Sequence, residues 1–180
     1  MLLSIQKLEI KKIRFDETIE PGRLDWSESG VRQVGPVHVM GEAELLENTE
    51  GEVRVKGRVE AKLEADCDRC LSLAQFAIDE PFDLFYQPNS MVEDADEIAI
   101  NEGEAEIGFY KGAGIELDEI VQEQVLLKLP MHLLCSDECR GLCPVCGRNR
   151  NESECSCSEI PADDRWIGLK QFQVSEEKVS

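Results

Sequence analysis

The chain has 180 residues, a length that suits one domain or one domain with a small appendage. Lys and Arg total 19 against 38 Asp and Glu, a formal net charge of −19 that repels nucleic-acid phosphates at long range and favours basic partners. No run approaches the roughly 18 apolar residues that span a bilayer, and the N-terminal residues lack the pattern of a secretory signal, so a cytoplasmic protein without membrane contact is expected.

The first half reads as antiparallel β-structure. Val37, Val39, Gly41, Ala43 and Leu45 share one side of an alternating run that leaves His38 on its polar side. In the next run, Val53, Val55, Gly57, Val59, Ala61, Leu63, Ala65 and Cys67 oppose Arg54, Lys56, Arg58, Glu60, Lys62, Glu64 and Asp66. A period of two with one apolar face marks a half-buried strand. The two runs are expected to pair as a hairpin around residues 47–51, and a third strand near residues 71–86 to return beside the second. Cys67-Asp68-Arg69-Cys70 then sits at the tip of the second hairpin. The basic stripe Arg54, Lys56, Arg58 and Lys62 leaves a small opening for direct RNA binding, although a solvated strand face is the simpler reading.

Residues 88–106 carry seven acids and no basic residue. They read as an acidic loop around a short strand at 97–100, either simply solvated or offering phosphate-like charge to a basic partner. The spacing next predicts a helix over 117–129. Asp118 is its expected N-cap and Glu119 lies in its first turn. Leu117, Ile120, Val121 and Val125, with Leu127 or Leu129, form its apolar face, and Pro130 ends it. A short helix is expected at 163–172, with Trp166, Leu169 and Phe172 or Ile167 inward. Residues 173–180 read as a flexible polar tail.

Eight cysteines constrain the chemistry most. In a reducing compartment, clustered thiols more often bind metal than pair as disulfides. Cys143-Pro144-Val145-Cys146-Gly147 is a knuckle whose tight turn brings both sulfurs to one side. A structural zinc takes four closed ligands. Cys143, Cys146, Cys155 and Cys157 supply one set; Cys67, Cys70, Cys135 and Cys139 supply a possible second. A rival partition joins Cys67 and Cys70 with Cys143 and Cys146 as a zinc ribbon. Spacing leaves both open, though closing the shorter loops costs less entropy. One or two structural zinc ions are expected, with iron–sulfur ligation a further all-thiolate option.

Enzymatic signatures are absent from the sequence. There is no Gly-rich phosphate loop, no Gly-x-Ser-x-Gly and no His-Glu-x-x-His. A catalytic zinc keeps an open position and usually takes histidine or carboxylate ligands. A nucleophilic cysteine wants a base nearby, and His38 and His132 are the two histidines. A non-enzymatic protein is expected. The alternative is a thiol redox or metal-handling protein built on the C-x-x-C motifs.

An ordered set of motifs suggests a family. It runs Leu63-Glu64-Ala65-Asp66-Cys67-Asp68-Arg69-Cys70-Leu71, then the acidic helix from Ile115 to Leu129-Pro130. Cys139-Arg140-Gly141-Leu142-Cys143-Pro144-Val145-Cys146-Gly147 follows, then Cys155-Ser156-Cys157 with Asp164-Arg165-Trp166. This resembles the YceD-like family, the large ribosomal RNA subunit accumulation proteins, in its zinc-knuckle-containing subset. The resemblance covers most of the chain; a proline before Arg165 would be more usual. It implies a non-enzymatic ribosome-biogenesis factor supporting synthesis, processing or accumulation of 23S rRNA in the large subunit. It brings no catalytic residues. With the charge balance, it points to a basic ribosomal protein or a large-subunit precursor particle as partner.

The expected fold is α+β: a mostly antiparallel β-sheet or partly open barrel with one packed helix and a zinc-stapled C-terminal segment. Residues 1–130 would form the β-rich domain, residues 131–172 the cysteine-rich segment with its short helix, and residues 173–180 the tail.

Overall fold

The computed structural model describes residues 1–89 and 107–157. In chain order these form β1 (Leu2–Ser4), α1 (Ile5–Leu8), β2 (Ile13–Ile19), β3 (Val31–Gln33), β4 (Val37–Leu45), β5 (Val53–Asp66), β6 (Leu73–Pro88), β7 (Ile107–Tyr110), β8 (Gly114–Glu116) and α2 (Leu117–Leu127). The expected strand at 97–100, the helix at 163–172 and the tail at 173–180 lie outside the described residues.

The alternation in β5 organises the sheet. Its inward residues Val53, Val55, Val59, Ala61, Leu63, Ala65 and then Cys67 are all buried. β5 pairs antiparallel with β6 along its whole length, from Val53↔Tyr86 to Asp66↔Leu73. Its other edge pairs with β4 from Leu45↔Val53 to His38↔Glu60, and with β3 at Val31↔Ala65 to Gln33↔Leu63. β2 lies beyond β4, so the path runs β2-β4-β5-β6-β7, with β3 off it. Both expected hairpins are present. The first turns at Asn48 and Gly51, which take positive φ.

Two expectations need correction. The sheet is mostly antiparallel, as expected, but it is open and mixed and not a partial barrel, because β7 runs parallel to β6 at Phe85↔Ile107 to Pro88↔Tyr110. A parallel neighbour needs a crossover of about a dozen residues or more, and the connection 89–106 has that length. The helix begins at Leu117 as its spacing suggests, but Asp118 does not cap it, and it ends at Leu127, short of 129. Glu116 is the N-cap, and its side chain makes no capping bond; Asp118 lies in the first turn.

Asp118 has a longer-range role. Arg23 grips its carboxylate with two hydrogen bonds, at 2.6 and 2.9 Å, and the Met1 amine donates at 2.9 Å. These contacts clamp the loop after β2 onto the start of α2. The helix buries Leu117, Ile120, Val121 and Val125 in the same core as Val53, Val55 and Val59. Leu127 is exposed and Leu129 packs at the edge.

Burial raises the Asp118 carboxyl, but the Met1 amine and Arg23 outweigh it and hold the group below its ordinary value. A depressed folded value means that the pair's stabilisation is present above the unfolded carboxylate range and is lost as pH falls through the folded value. Asp118→Asn should therefore lower stability at pH 7 by about 1 kcal/mol or less, since the pair is partly exposed. The deficit should shrink on acidification below about pH 4. Denaturant midpoints of both proteins across pH check this; a deficit independent of pH contradicts it.

No helix among the described residues is long and apolar enough to cross a membrane.

Candidate metal centre

The β5–β6 hairpin ends in the turn that carries Cys67 and Cys70. The Leu71 N–H donates to the Cys67 carbonyl at 2.9 Å, and the Cys67 N–H to the Ser72 carbonyl at 2.8 Å. This tip docks the downstream segment. The Asp68 N–H donates to the Leu133 carbonyl, and the Leu133 N–H donates back to Asp68 Oδ2 at 2.8 Å. Arg69 Nη1 reaches the Cys139 carbonyl at 3.1 Å.

These contacts bring Cys67, Cys70, Cys135 and Cys139 together, with all four sulfurs within 4.8 Å of one another. Cys67 Sγ stands 3.8 Å from Cys139 Sγ, and Cys70 Sγ stands 3.5 Å from Cys135 Sγ. Cys67, Cys70 and Cys139 are buried, with Ala74 beside them and Phe76, Leu134 and Leu142 around them. Cys143, Cys146, Cys155 and Cys157 form a second such group, also within 4.8 Å. It is more open: Cys143 is buried, Cys155 half-buried, Cys146 and Cys157 exposed. Cys67 and Cys70 therefore do not share a group with Cys143 and Cys146. All eight thiols are free.

The donor geometry of the first group suits a single ion. Thiolates about 2.3 Å from a tetrahedral zinc lie about 3.8 Å from one another. The observed 3.5 and 3.8 Å separations match that spacing. They exceed a disulfide bond of about 2.05 Å. Each group, with its sulfurs within 4.8 Å of one another, could hold a metal ion.

Electrostatics point the same way. Burial pushes the Cys67 thiol up, but the N–H groups of Arg69, Cys135 and Cys70 aimed at its sulfur bring it down to about 6. The Ser72 hydroxyl and N–H lower Cys70. The N–H groups of Cys146 and Val145 bring Cys143 to about 6. Neighbouring sulfurs then hold their partners protonated. Cys135 is pushed up to about 12 by Cys70 and Cys139, and Cys157 to about 12, chiefly by Cys146. Four thiols this close cannot all ionise alone, and a divalent cation among them removes the conflict.

The two knuckles share one turn. The Gly147 N–H donates to the Cys143 carbonyl at 2.8 Å, as the Leu71 N–H does to Cys67. Gly147 takes φ 72° and Leu71 takes φ 61°. The left-handed region costs a side-chain-bearing residue about 1–2 kcal/mol, and glycine avoids this. Leu71 is 67% exposed, so it recovers little by burial. Leu71→Gly should raise stability by about 0.5–1 kcal/mol after glycine's larger loss of chain entropy. Thermal unfolding checks this; a lower midpoint would mean that the Leu71 side chain supports the tip.

The basic stripe on β5 is largely engaged by acids. Arg54 pairs with Asp83, Lys56 with Glu42 at 2.9 Å and Arg58 with Asp79. His38 bonds Asp16 at 2.8 Å, and His132 lies 3.9 Å from Asp68. Sequence reasoning missed the polar groups around the sulfurs. Asn151 Nδ2 donates to Cys139 Sγ at 3.3 Å, and Asn149 Nδ2 to Ser72 Oγ at 3.1 Å. The signal for them was the polar Asn-Arg-Asn run just after the second knuckle.

Comparison with known proteins follows these features. The family model described as "Large ribosomal RNA subunit accumulation protein YceD" matches residues 55–173, from β5 through both cysteine groups. The uncharacterized protein Rv2926c of Mycobacterium tuberculosis is 32% identical over 131 residues, 71% of this chain and 58% of that protein. A Mycobacterium bovis counterpart matches to the same extent. The chain thus spans under two thirds of the length of these mycobacterial relatives. The uncharacterized protein YlbN of Bacillus subtilis is 23% identical over 149 residues, 82% of this chain and 80% of that protein. No solved structure matches. With the β5–β6 hairpin, α2 and both cysteine groups lying inside the matched span, the chain belongs to the YceD family of large ribosomal RNA subunit accumulation proteins.

Proposed function

We propose that this protein is a non-enzymatic ribosome-biogenesis factor supporting synthesis, processing or accumulation of 23S rRNA in the large subunit. The observation that carries the reading is the family match over residues 55–173, most of the chain. The family links it to ribosome biogenesis; the specific role is the proposal. Its partner is a basic ribosomal protein or a large-subunit precursor particle, recognised through complementary charge. The net charge of −19 supports this, as do the acids that already occupy Arg54, Lys56 and Arg58. Direct rRNA contact is disfavoured on the same grounds.

The cysteine groups are structural centres in this reading. One zinc is held by Cys67, Cys70, Cys135 and Cys139, the other by Cys143, Cys146, Cys155 and Cys157. The bound ion supplies charge neutralisation and cross-linking. The chain then divides into a β-rich domain, residues 1–130, and a zinc-stapled segment, residues 131–172, placing it in a zinc-knuckle subset of the family. It acts in the cytoplasm.

Depletion of the protein in its own cells, with gradient analysis of ribosomal particles, tests the function. Accumulation of large-subunit precursors, with the protein co-sedimenting on them, is expected. A normal large-subunit profile with the protein at the top of the gradient contradicts it. A second reading, thiol redox, draws support from the lowered Cys67 and Cys143 thiols. Metal-free protein with one easily reduced disulfide would favour that reading.

A further inference from the structure

The two cysteine groups are physically joined. The loop between Cys146 and Cys155, both in the second group, doubles back over the first. The Leu142 N–H donates to the Arg69 carbonyl at 3.0 Å, and the Arg150 N–H to the Gly141 carbonyl at 3.0 Å. Leu142 and Asn149 form a β-bridge. Asn149 Nδ2 holds Ser72 Oγ, two residues past Cys70.

Asn151 is the residue of this loop that reaches a sulfur of the first group. Its Nδ2 donates to Cys139 Sγ at 3.3 Å and to Asn149 Oδ1 at 2.9 Å. Its Oδ1 accepts the Arg140 N–H at 2.8 Å, and its own N–H donates to Asn149 Oδ1 at 3.0 Å. A thiolate that accepts an amide donor has part of its charge taken up outside the metal bond and is fixed in direction. The donor reaches Cys139 from the loop that the second group closes.

We infer that Asn151 is a positioning residue for the first centre, and that it couples the two centres. With the second centre loaded, the loop is held at both ends, by Cys146 and by Cys155. Asn151 is then kept on Cys139. Loss of the second metal frees the loop and withdraws the donor, so the first centre releases its metal more readily. Binding linkage makes the effect reciprocal: loading the first centre favours loading the second. The inference rests on the reading of both groups as metal centres.

The test uses the full chain loaded with the NMR-active isotope of cadmium, a thiophilic stand-in for zinc. Each four-cysteine centre gives one resonance, and the resonance that the Cys155→Ser/Cys157→Ser variant lacks belongs to the second centre. Excess chelator is added, and the decay of each resonance is followed. In that variant, release from the first centre should be about tenfold faster or more, the usual cost of losing a group that orients a metal ligand. Asn151→Asp then separates positioning from bracing. A carboxylate still accepts the Arg140 N–H but cannot donate to sulfur. Asn151→Asp should therefore speed release from the first centre at least as much as Asn151→Ala, with two metals still bound at the start. First-centre release unchanged in the serine variant and in Asn151→Asp overturns the coupling while leaving two metal centres standing. A chain that binds no metal overturns both the coupling and the reading beneath it.

Discussion

Replacing Cys67 and Cys70 together by serine should remove one metal per chain and release residues 131–142 from the sheet, while the β5–β6 hairpin keeps its register. The hairpin rests on the large apolar core around Val53, Val55, Val59, Leu63 and Val121, which the cysteines do not build. The downstream segment has little such support: of its residues, Leu133 packs partly buried against that core. It docks through the paired bonds of Asp68 and Leu133, through Arg69, and on a small cluster of Phe76, Leu134 and Leu142. Ordering chain costs about 1–2 kcal/mol per residue, and a hydrogen bond contributes about 1 kcal/mol net. A structural zinc contributes on the order of 10 kcal/mol. A metal bound by these four cysteines would therefore be the main force holding this segment. Limited proteolysis should cut the variant within 131–142 and leave a resistant fragment containing β2 to β6. Wild-type resistance of the segment would mean that its packing holds without metal.

Gly41→Ala should be the most damaging small change in the sheet. Phe15, Gly41, Gly57 and Phe82 form one cross-strand row, Phe15↔Gly41↔Gly57↔Phe82. A Cβ at Gly41 would clash with the Lys56 carbonyl oxygen, and would lie 2.7 Å from both the Gly57 Cα and Phe15 Cζ. A Cβ at Gly57 would clash with the Met40 carbonyl and lie 2.8 Å from Phe82 Cζ. Backbone cannot yield as a flexible side-chain end can. The rings of Phe15 and Phe82, both buried, cover the gap that the two glycines leave. Gly41→Ala should cost about 3 kcal/mol, the upper part of the range for overpacking. Gly35→Ala is the control. A Cβ there meets nothing within 4 Å, so the change should stay within about 0.5 kcal/mol. Equal unfolding midpoints for the two variants would contradict the packing argument.

Local pattern carried most of the sheet into view. β4 and β5 keep strict alternation over long runs, and the core buries their inward residues except Gly41, Leu45 and Gly57, which are half-buried. α2 was legible from Leu117, Ile120, Val121 and Val125, which repeat at helical spacing. β2 was not, because Glu17 sits among Ile13, Phe15 and Ile19 and breaks the apolar face. The parallel placement of β7 was illegible for another reason: four residues carry no record of which edge they join. Asp118 looked like a local cap, yet its partner Arg23 lies in the loop after β2, a contact that only the fold creates. The cysteine spacing allowed two partitions. What groups the sulfurs is the docking of Leu133 and Cys139 on the hairpin tip, which is tertiary and has no sequence period.

If the cysteines are structural metal centres in a ribosome-biogenesis factor and not a reactive thiol site, the purified protein carries its metal and keeps its thiols reduced. Native mass spectrometry of freshly purified protein, followed by a thiol count after denaturation in chelator, decides between the two. Two zinc ions per chain with all eight thiols recovered as free cysteine is the result predicted. A metal-free chain carrying one or more disulfides would contradict it.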